Sequence, residues 1–325
     1  MTEPGNQNIV GGSARVTVVV VTYYSAHEIE NCLRSVLAAD IKVNVIVVDN
    51  GSKDGTLAIV GRIAAGRDNV RLVESGGNVG LAAANNLVMP YLAGDYLLVL
   101  NPDTLVPPNA ISGMISVMDR DQKIGVVGPK CIYEDGTPHT SYHRGWGLGR
   151  LFMWRVLPYS IVRRLYDRLA SYRESRVFFV SGACLLIRAD VFRRIGGYDP
   201  AYFLTVEDAC DLCRRVARSG MTTWFTPNAT ITHLCGRSGS QVPYLTTLEG
   251  YKGDIYYFRK FSGRIGGGLA FAIICVACMT KIVVSLIKRT VRGSRIDKDN
   301  LDVYMKVLPQ ILQYGRRISS QTSGL

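Results

Sequence analysis

Residues 15–56 read RVTVVVVTYYSAHEIENCLRSVLAADIKVNVIVVDNGSKDGT, and this stretch decides the fold. Its opening run, RVTVVVVT over residues 15–22, is continuous and β-branched, the pattern of a strand buried on both faces. Residues 28–39 then place Ile29, Cys32, Leu33, Val36 and Leu37 on one face of a helix. Residues 43–48 form a second buried strand that stops at Asp49. Strand, helix and strand at this spacing predict a parallel pair joined by a right-handed crossover.

The same alternation continues outward. A helix is expected over 54–65, a short strand over 70–73, a helix over 81–92 and a strand, YLLVL, over 96–100. Polar residues follow each strand: Thr22-Tyr23-Tyr24, Asp49-Asn50-Gly51-Ser52, Gly76-Gly77-Asn78 and Asn101-Pro102-Asp103. In open α/β sheets ligands bind beyond the carboxyl ends of the strands. Turn-making and helix capping alone would also account for Asp, Asn and Gly there. Four such loops at one edge favour a binding site. Beyond residue 100, a strand pair is expected over 177–187, a helix over 204–220, and short strands over 221–225 and 229–232, the last ending near His233.

Composition narrows the class. The chain has 325 residues, 47% hydrophobic and 20% charged, with a net charge of +12. It is too apolar for a disordered protein, and its length allows one large α/β domain or two smaller ones. The charge is unevenly spread: residues 1–149 sum to −3, residues 150–176 to +5 and residues 252–298 to +8. Both basic segments are also apolar, which suits an anionic membrane surface better than a nucleic-acid groove. The chain opens on a polar, Gly-rich stretch, 1–14, expected to be a flexible lead-in without a secretory signal. Two CxxC spacings, Cys210/Cys213 and Cys275/Cys278, lack a second pair at zinc-finger spacing and read as packed thiols.

Several residues carry candidate chemistry. Asp49 ends a buried strand, where a carboxylate can accept from a nucleobase or ribose. Asp54 and Thr56 serve equally as caps for the next helix. Asp103, after rigid Pro102, is placed to ligate a hard cation together with a substrate diphosphate. His233 is a candidate second ligand, favouring Mn²⁺, or a structural histidine. Glu207 and Asp208 open a helix, with Asp211 one turn on; helix capping and general-base action both fit them. No GxxxxGK[ST] loop occurs, and no GxGxxG follows the first strand, so a kinase-like ATP site and a dinucleotide-binding dehydrogenase are poorly supported.

Seven segments in order, VVVVTYYSAHEIENCLRSV, VIVVDNGSKDGT, GGNVGLAAANN, YLLVLNPDT, VSGACLLIRADVFRRIGGYDPAYF, EDACDLCRRVARSG and ITHLCGRSGS, resemble family 2 inverting glycosyltransferases of the GT-A fold. The likeness is greatest to the rhamnosyltransferase-like branch that builds bacterial cell-envelope polysaccharides, and it covers about residues 15–262. It implies a GT-A, Rossmann-like, mostly parallel mixed sheet flanked by helices, and one-step sugar transfer from a nucleotide-diphosphate donor. Thr22, Tyr24, Asp49, Asn78, Gly80, Asn101 and Asp103 would then form the donor site, with Asp49 meeting the base. Asp103 and His233 would hold Mn²⁺ or Mg²⁺. The motif reads Asn101-Pro102-Asp103 where many relatives have two Asp residues, so metal binding would rest on Asp103, His233 and the diphosphate. Asp208 would be the general base with Glu207 its neighbour. The QxxRW signature of processive relatives is missing, which implies one sugar added per encounter.

The resemblance and the basic segments together imply an acceptor linked to polyprenyl diphosphate. Residues 150–176 form a basic, amphipathic insertion, with a helix expected over 160–172 that rests on lipid headgroups or is an ordinary surface helix. Residues 263–325 form a C-terminal apolar, basic helical region. Within it residues 265–287 hold one charge, Lys281, in a length able to span a bilayer. Gly266, Gly267 and Gly268 open that run, and Lys281, Ser285, Lys288 and Arg292 make a polar stripe, so helices lying in the interface are preferred to a span. Residues 301–312 extend the same platform. The expected location is the cytoplasmic face of the membrane, peripheral or monotopic, with self-association left open. The expected donor is dTDP-rhamnose, with UDP-hexoses and UDP-N-acetylhexosamines as alternatives; the alternative function is a non-catalytic, membrane-associated nucleotide-sugar binder.

Overall fold

A computed structural model describes residues 14–169, 172–204, 207–234, 243–292 and 295–320. Parts of the expected N-terminal lead-in and of the ITHLCGRSGS segment lie outside these described residues.

The first half winds as its hydrophobic periods dictate. Strands β1 (Val16–Thr22), β2 (Val43–Asp49), β3 (Val70–Glu74) and β4 (Tyr96–Leu100) run parallel in the order β3-β2-β1-β4. Every residue of β1 is buried because the strand is covered on both faces. Val16, Val18 and Val20 enter one core, shared with Val45, Val47 and Leu98, while Val19 and Val21 enter the other with Ile46, Val48 and Val99. Helices α1 (Ile29–Leu37) and α2 (Thr56–Ala64) make the first two crossovers, α1 burying Ile29, Cys32, Leu33 and Val36. The third crossover is shorter than expected. Helix α3 (Leu81–Asn86) ends early and a 3₁₀ turn, Met89–Tyr91, follows, with Pro90 in its first turn unable to continue α-helical bonding.

Past β4 the sheet becomes mixed. The chain passes through β5 (Thr104–Leu105), α4 (Ala110–Arg120) and β6 (Ile124–Ile132). Strand β11 (Cys184–Arg188) inserts antiparallel between β4 and β6, and β12 (Thr222–His233) lies parallel to β6. The full order is β3-β2-β1-β4-β11-β6-β12-β5. The two short strands expected over 221–232 are one strand, β12, interrupted by a register shift between Thr226 and Thr230. Pro227 stands at that shift, where a missing N–H costs no ladder bond.

The excursion between β6 and β11 carries β7 (Pro138–His139), β8 (Tyr142–His143), α5 (Leu148–Val156), α6 (Tyr159–Leu169), β9 (Ser175–Val177) and β10 (Phe179–Val180). The basic insertion is therefore two helices separated at Pro158, one more than its amphipathic pattern indicated. Next come α7 (Ala189–Arg194) and α8 (Glu207–Arg218), then the long α9 (Pro243–Arg292) and α10 (Arg295–Ser320). Cys210, Cys213 and Cys278 are buried packing residues.

Helix α9 breaks at Gly263, whose φ of 67° and ψ of −165° belong to glycine. The break falls three residues before the glycine cluster that the sequence pointed to. The arm beyond it packs along α10 through Ala270, Ile274, Ala277 and Cys278 against Val307 and Ile311, with Gly315 set against the Phe271 ring. Ser285 is buried, so the polar stripe expected through Lys281, Ser285 and Lys288 does not face solvent as a unit. The outward side is instead apolar: Ile265 is 79% exposed, and Leu269, Val276, Met279, Val283 and Ile287 follow at spacings of three, four or seven residues. Helix α5 is fastened to the first arm of α9 by Arg155, whose Nε lies 2.7 Å from the fully buried Asp254 carboxylate.

Candidate active site

The carboxyl ends of β1, β2 and β4 meet at one edge, and a cavity of about 270 Å³ opens there. Asn50, Asn78, Gly80, Asn101, Asp103 and His233 line it, joined by Tyr23, Phe203, Leu204 and Leu245. Of the residues expected at the donor site, Asn78, Gly80, Asn101 and Asp103 are thus brought to one wall.

Asp49 and Thr22 sit just behind that wall. Asp49 is 2% exposed; its Oδ1 accepts from the Thr22 hydroxyl at 2.9 Å, and its Oδ2 from the amides of Gly51 (3.1 Å) and Ser52 (2.9 Å). These bonds fold residues 49–52 into a turn, with Gly51 at φ +90° pressed against the backbone of Gly77 and Asn78. Three of about four acceptor positions on a carboxylate are filled, leaving one for a ligand. Tyr24 is the one non-glycine residue with positive φ among those described, at 52°, held by its amide bond to Ser52 Oγ. Asp54 accepts from the Thr56 amide and hydroxyl and from the Ala26 amide, so its role here is structural.

The β2 and β3 loops are knitted by amides. Asn50 Nδ2 donates to Asn78 Oδ1 at 2.9 Å, and that oxygen also accepts from Gly80 N, while Asn50 Oδ1 accepts from Val79 N. Gly80 has φ +88°, and a Cβ there would meet the Phe203 ring and carbonyl at 2.8 Å. Leu81 N donates to Phe203 O at 2.6 Å. The segment carrying Phe203 therefore closes over the start of α3.

Asp103 and His233 come together because β5 pairs antiparallel with the end of β12, His233 opposite Thr104. His233 Nε2 lies 3.2 Å from Asp103 Oδ1, and both side chains are nearly buried. His139 of β7 stands edge-on to the His233 ring at 5.4 Å. Burial, with His233 and the Arg163 guanidinium nearby, lowers His139 to about 4, so it is neutral at pH 7. A carboxylate oxygen and an imidazole nitrogen facing one cavity suit a divalent cation of the Mn²⁺ or Mg²⁺ type. Asn101 lines the same cavity without adding a charge.

Asp208, at the start of α8, is 5% exposed and does not line this cavity. Its Oδ1 accepts from the Ala209 amide and faces Gly182. The next residue, Ala183, accepts from the Asn101 amide at 2.9 Å. Asp208 thus faces the Gly182-Ala183 turn that is bonded to Asn101. The structure brings Glu207 to the first position of the same helix.

Sequence reasoning missed Phe203, Leu204 and Leu245, whose only signal was apolar residues beside polar motifs. It also missed Asn50, which stood unweighed inside a motif already quoted, and His139, which carried no local signal.

A mixed sheet with this strand order, an acid-bearing loop after β4 and a carboxylate-bearing helix behind it define a GT-A nucleotide-sugar transferase. The chain belongs to glycosyl transferase family 2, whose family model matches residues 17–196. It is 33% identical over 246 residues to the N-acetylglucosaminyl-diphospho-decaprenol L-rhamnosyltransferase of Mycobacterium tuberculosis, covering 70% of this chain and 78% of that one. The rhamnosyltransferase WbbL of Escherichia coli is 26% identical over 222 residues, covering 65% and 80%. Among solved structures, a mannosyltransferase from Pyrobaculum calidifontis in complex with GDP-Man and Mn²⁺ superposes with a TM-score of 0.56 at 16% identity, covering 95% and 88%. The protein is a hexosyltransferase of the rhamnosyltransferase-like branch of this family.

Proposed function

We propose that the enzyme transfers one L-rhamnose, with inversion, from dTDP-rhamnose to a hydroxyl of a polyprenyl-diphosphate-linked sugar at the cytoplasmic face of the membrane. The observation that carries this reading is the 33% identity to a transferase acting on a decaprenol-diphosphate sugar, spread over most of both chains.

The donor is taken at the edge formed by β1, β2 and β4, its nucleoside near Tyr24 and the free acceptor position of Asp49, its diphosphate near Asn78, Gly80 and Asp103. Mn²⁺ or Mg²⁺ fits the pair Asp103 and His233, and when bound there supplies positive charge to the departing nucleoside diphosphate. Asp208 takes the proton of the acceptor hydroxyl as its oxygen attacks the anomeric carbon from the face opposite the leaving group. Phe203 and Leu204, closing over Gly80, keep water from that carbon.

Membrane seating is read from the α9 hairpin. Its outward stripe of Ile265, Leu269, Val276, Met279 and Val283 is apolar, with Arg264, Lys288 and Arg289 exposed at its ends. The arm is long and apolar enough to cross a membrane. Yet α10 packs along it with Asp302, Lys306, Arg316 and Arg317 exposed, and a span would draw several of these into hydrocarbon at ~3 kcal/mol each. The hairpin therefore lies in the interface with its apolar stripe toward the acyl chains. Exposed Phe152, Tyr159, Ile161 and Leu165 of α5 and α6 extend the same kind of surface.

The reading is tested by incubating the enzyme with Mn²⁺, polyprenyl-diphosphate N-acetylglucosamine and, in separate reactions, dTDP-rhamnose, a UDP-hexose or a UDP-N-acetylhexosamine. A lipid product heavier by one deoxyhexose supports it. Transfer from a UDP-sugar alone replaces the donor, and nucleotide-sugar binding without any transfer overturns the reading.

A further inference from the structure

Lys260, on the first arm of α9, lies partly buried between two carboxylates from elsewhere in the chain. Its Nζ lies 2.7 Å from Asp199 Oδ2 and 2.5 Å from Asp211 Oδ1. Asp211 is fully buried on α8, one turn beyond Asp208. Asp199 opens the segment 199–204 that carries Phe203 and Leu204 over the cavity, and it caps that segment by accepting from the Ala201 amide at 3.0 Å. One ammonium therefore ties together three elements: α9, the helix bearing Asp208, and the segment that closes the donor site.

The surrounding bonds show that the arrangement is built, not incidental. Tyr256, one turn before Lys260 on α9, donates to Asp199 Oδ2 at 2.9 Å. Arg215 holds the second oxygen of Asp211 at 2.5 Å and donates from Nη1 to the carbonyls of Ile195 and Gly197. Tyr202 packs its ring edge-on against Tyr256 at 5.1 Å. On the opposite side, segment 198–204 is clamped to α3: Asn86 exchanges two bonds with the backbone of Tyr198, and Leu81 N donates to Phe203 O. The segment is thus held at one end by the donor cradle and at the other by Lys260 and Tyr256. Without the ammonium, Asp199 and Asp211 would face each other with one fewer cation in a poorly solvated space, and one of the two elements must move.

We propose that Lys260 is a positioning residue for the transfer: it sets the Asp208 helix and the Phe203 segment in register with the donor cradle. It touches no reacting atom. Its effect is on the step in which the acceptor oxygen attacks, because misplacing a base or a closing segment by about 1 Å can cost about 10²-fold. Donor binding relies on the loops after β1, β2, β3 and β4, which Lys260 does not contact. The proposal rests on the transferase reading above for its kinetic consequence, while its structural core does not.

The experiment compares the wild-type enzyme with Lys260→Met, Lys260→Arg and Tyr256→Phe. Lys260→Met is expected to lower kcat by about 10- to 100-fold while the donor dissociation constant stays within about 2-fold. Lys260→Arg, able to serve both carboxylates, recovers most of the loss. If Lys260→Met does not fold, Tyr256→Phe removes one bond to Asp199 and is expected to lower kcat by about 5-fold with donor binding kept. Hydrogen exchange is measured in parallel and needs no turnover: amides of 199–204 and of α8 should exchange faster in the Met or Phe variant, with those of α2 and β3 unchanged. The proposal is overturned if kcat stays within about 2-fold of wild type in both variants. It is equally overturned if kcat, donor affinity and global protection fall together without recovery in Lys260→Arg. Absence of transfer by the wild-type enzyme would sink the transferase reading, and the exchange data would still decide the positioning role.

Discussion

His233 Nε2 lies 3.2 Å from Asp103 Oδ1, joining the far end of the last sheet strand to the loop after β4. Neither residue is close to the other in the chain, and each alone is an ordinary polar residue near a strand end. Their meeting creates the one mixed oxygen–nitrogen donor pair lining the cavity among the described residues. Replacing His233 by Ala should abolish the stabilisation that Mn²⁺ adds in the presence of nucleoside diphosphate, measured as a shift in Tm. Wild-type protein is expected to show that shift and lose its activity with EDTA. Retention of the metal-dependent shift in both His233→Ala and Asp103→Asn would show that the ion binds elsewhere.

Asp208→Asn tests the general base. The side chain stays the same size and keeps its contact with the start of α8, so folding and donor binding should be preserved. Transfer should fall by roughly 10²–10⁴-fold, the usual worth of a positioned base. Turnover near the wild-type rate would remove Asp208 from the mechanism.

Gly80→Ala combines two penalties. The φ of +88° disfavours any Cβ, and the added carbon meets the Phe203 ring and carbonyl at 2.8 Å. A destabilisation of about 1–3 kcal/mol is expected from the backbone and crowding together. Because the strain falls on Gly80 itself, in the wall of the donor cavity, donor affinity should fall with stability, read by calorimetry with the intact nucleotide sugar. Gly76→Ala, at φ +81° but with open space around it, is the control and should cost stability with less loss of donor affinity.

Two partly buried histidines predict acid lability. Burial, with Arg150 and His139 nearby, lowers His143 to about 3, and burial lowers His139 to about 4. His143 stacks on the Phe179 ring at 4.4 Å, and its Nδ1 has no partner. A folded-state value below the unfolded value of ~6.5 means the unfolded chain binds the proton first. Stability is therefore full above about pH 6.5 and falls with acid, by about 1.4 kcal/mol per pH unit per histidine, until the folded values are reached. Urea titrations between pH 7 and pH 5 should show this slope, and His143→Phe should flatten it by about half. An unchanged slope in that variant would place the lability elsewhere.

The α9 hairpin is expected to seat the enzyme on anionic vesicles. Val276→Asp together with Val283→Asp places charges in the exposed apolar stripe without touching the α10 contact. Sedimentation with vesicles rich in anionic lipid should recover the wild-type protein at low salt and lose the double variant. Equal sedimentation of both would assign the membrane contact to α5 and α6, and no sedimentation of either would reject it.

Much of the catalytic half was legible in the chain itself. The alternation of buried runs at 16–22, 43–49 and 96–100 specifies strands covered on both faces, with a shorter, half-exposed strand at 70–74, and the intervening helical stripes require crossovers. The parallel order and the polar edge follow, because handedness leaves few alternatives. Motif order along the chain then identified the family. Asp103 and Asn78 were legible because they stand in the loops after β4 and β3, so local position places them, whereas Gly80 came with the family resemblance.

Other features depended on which strand lies beside which. That β11 runs antiparallel between β4 and β6 is not written in its five residues, whose apolar run suits either direction. The contacts of His233 with Asp103, Phe203 with Gly80, and Lys260 with Asp199 and Asp211 all join segments far apart in sequence. The orientation of the C-terminal hairpin belongs here too. Hydropathy recorded that residues 265–287 are apolar, but only packing against α10 decided which side is buried and which faces outward. Local periodicity reports how a residue sits on its own element. Which partner it meets is settled by long-range packing, where shape and charge from distant segments must be satisfied together.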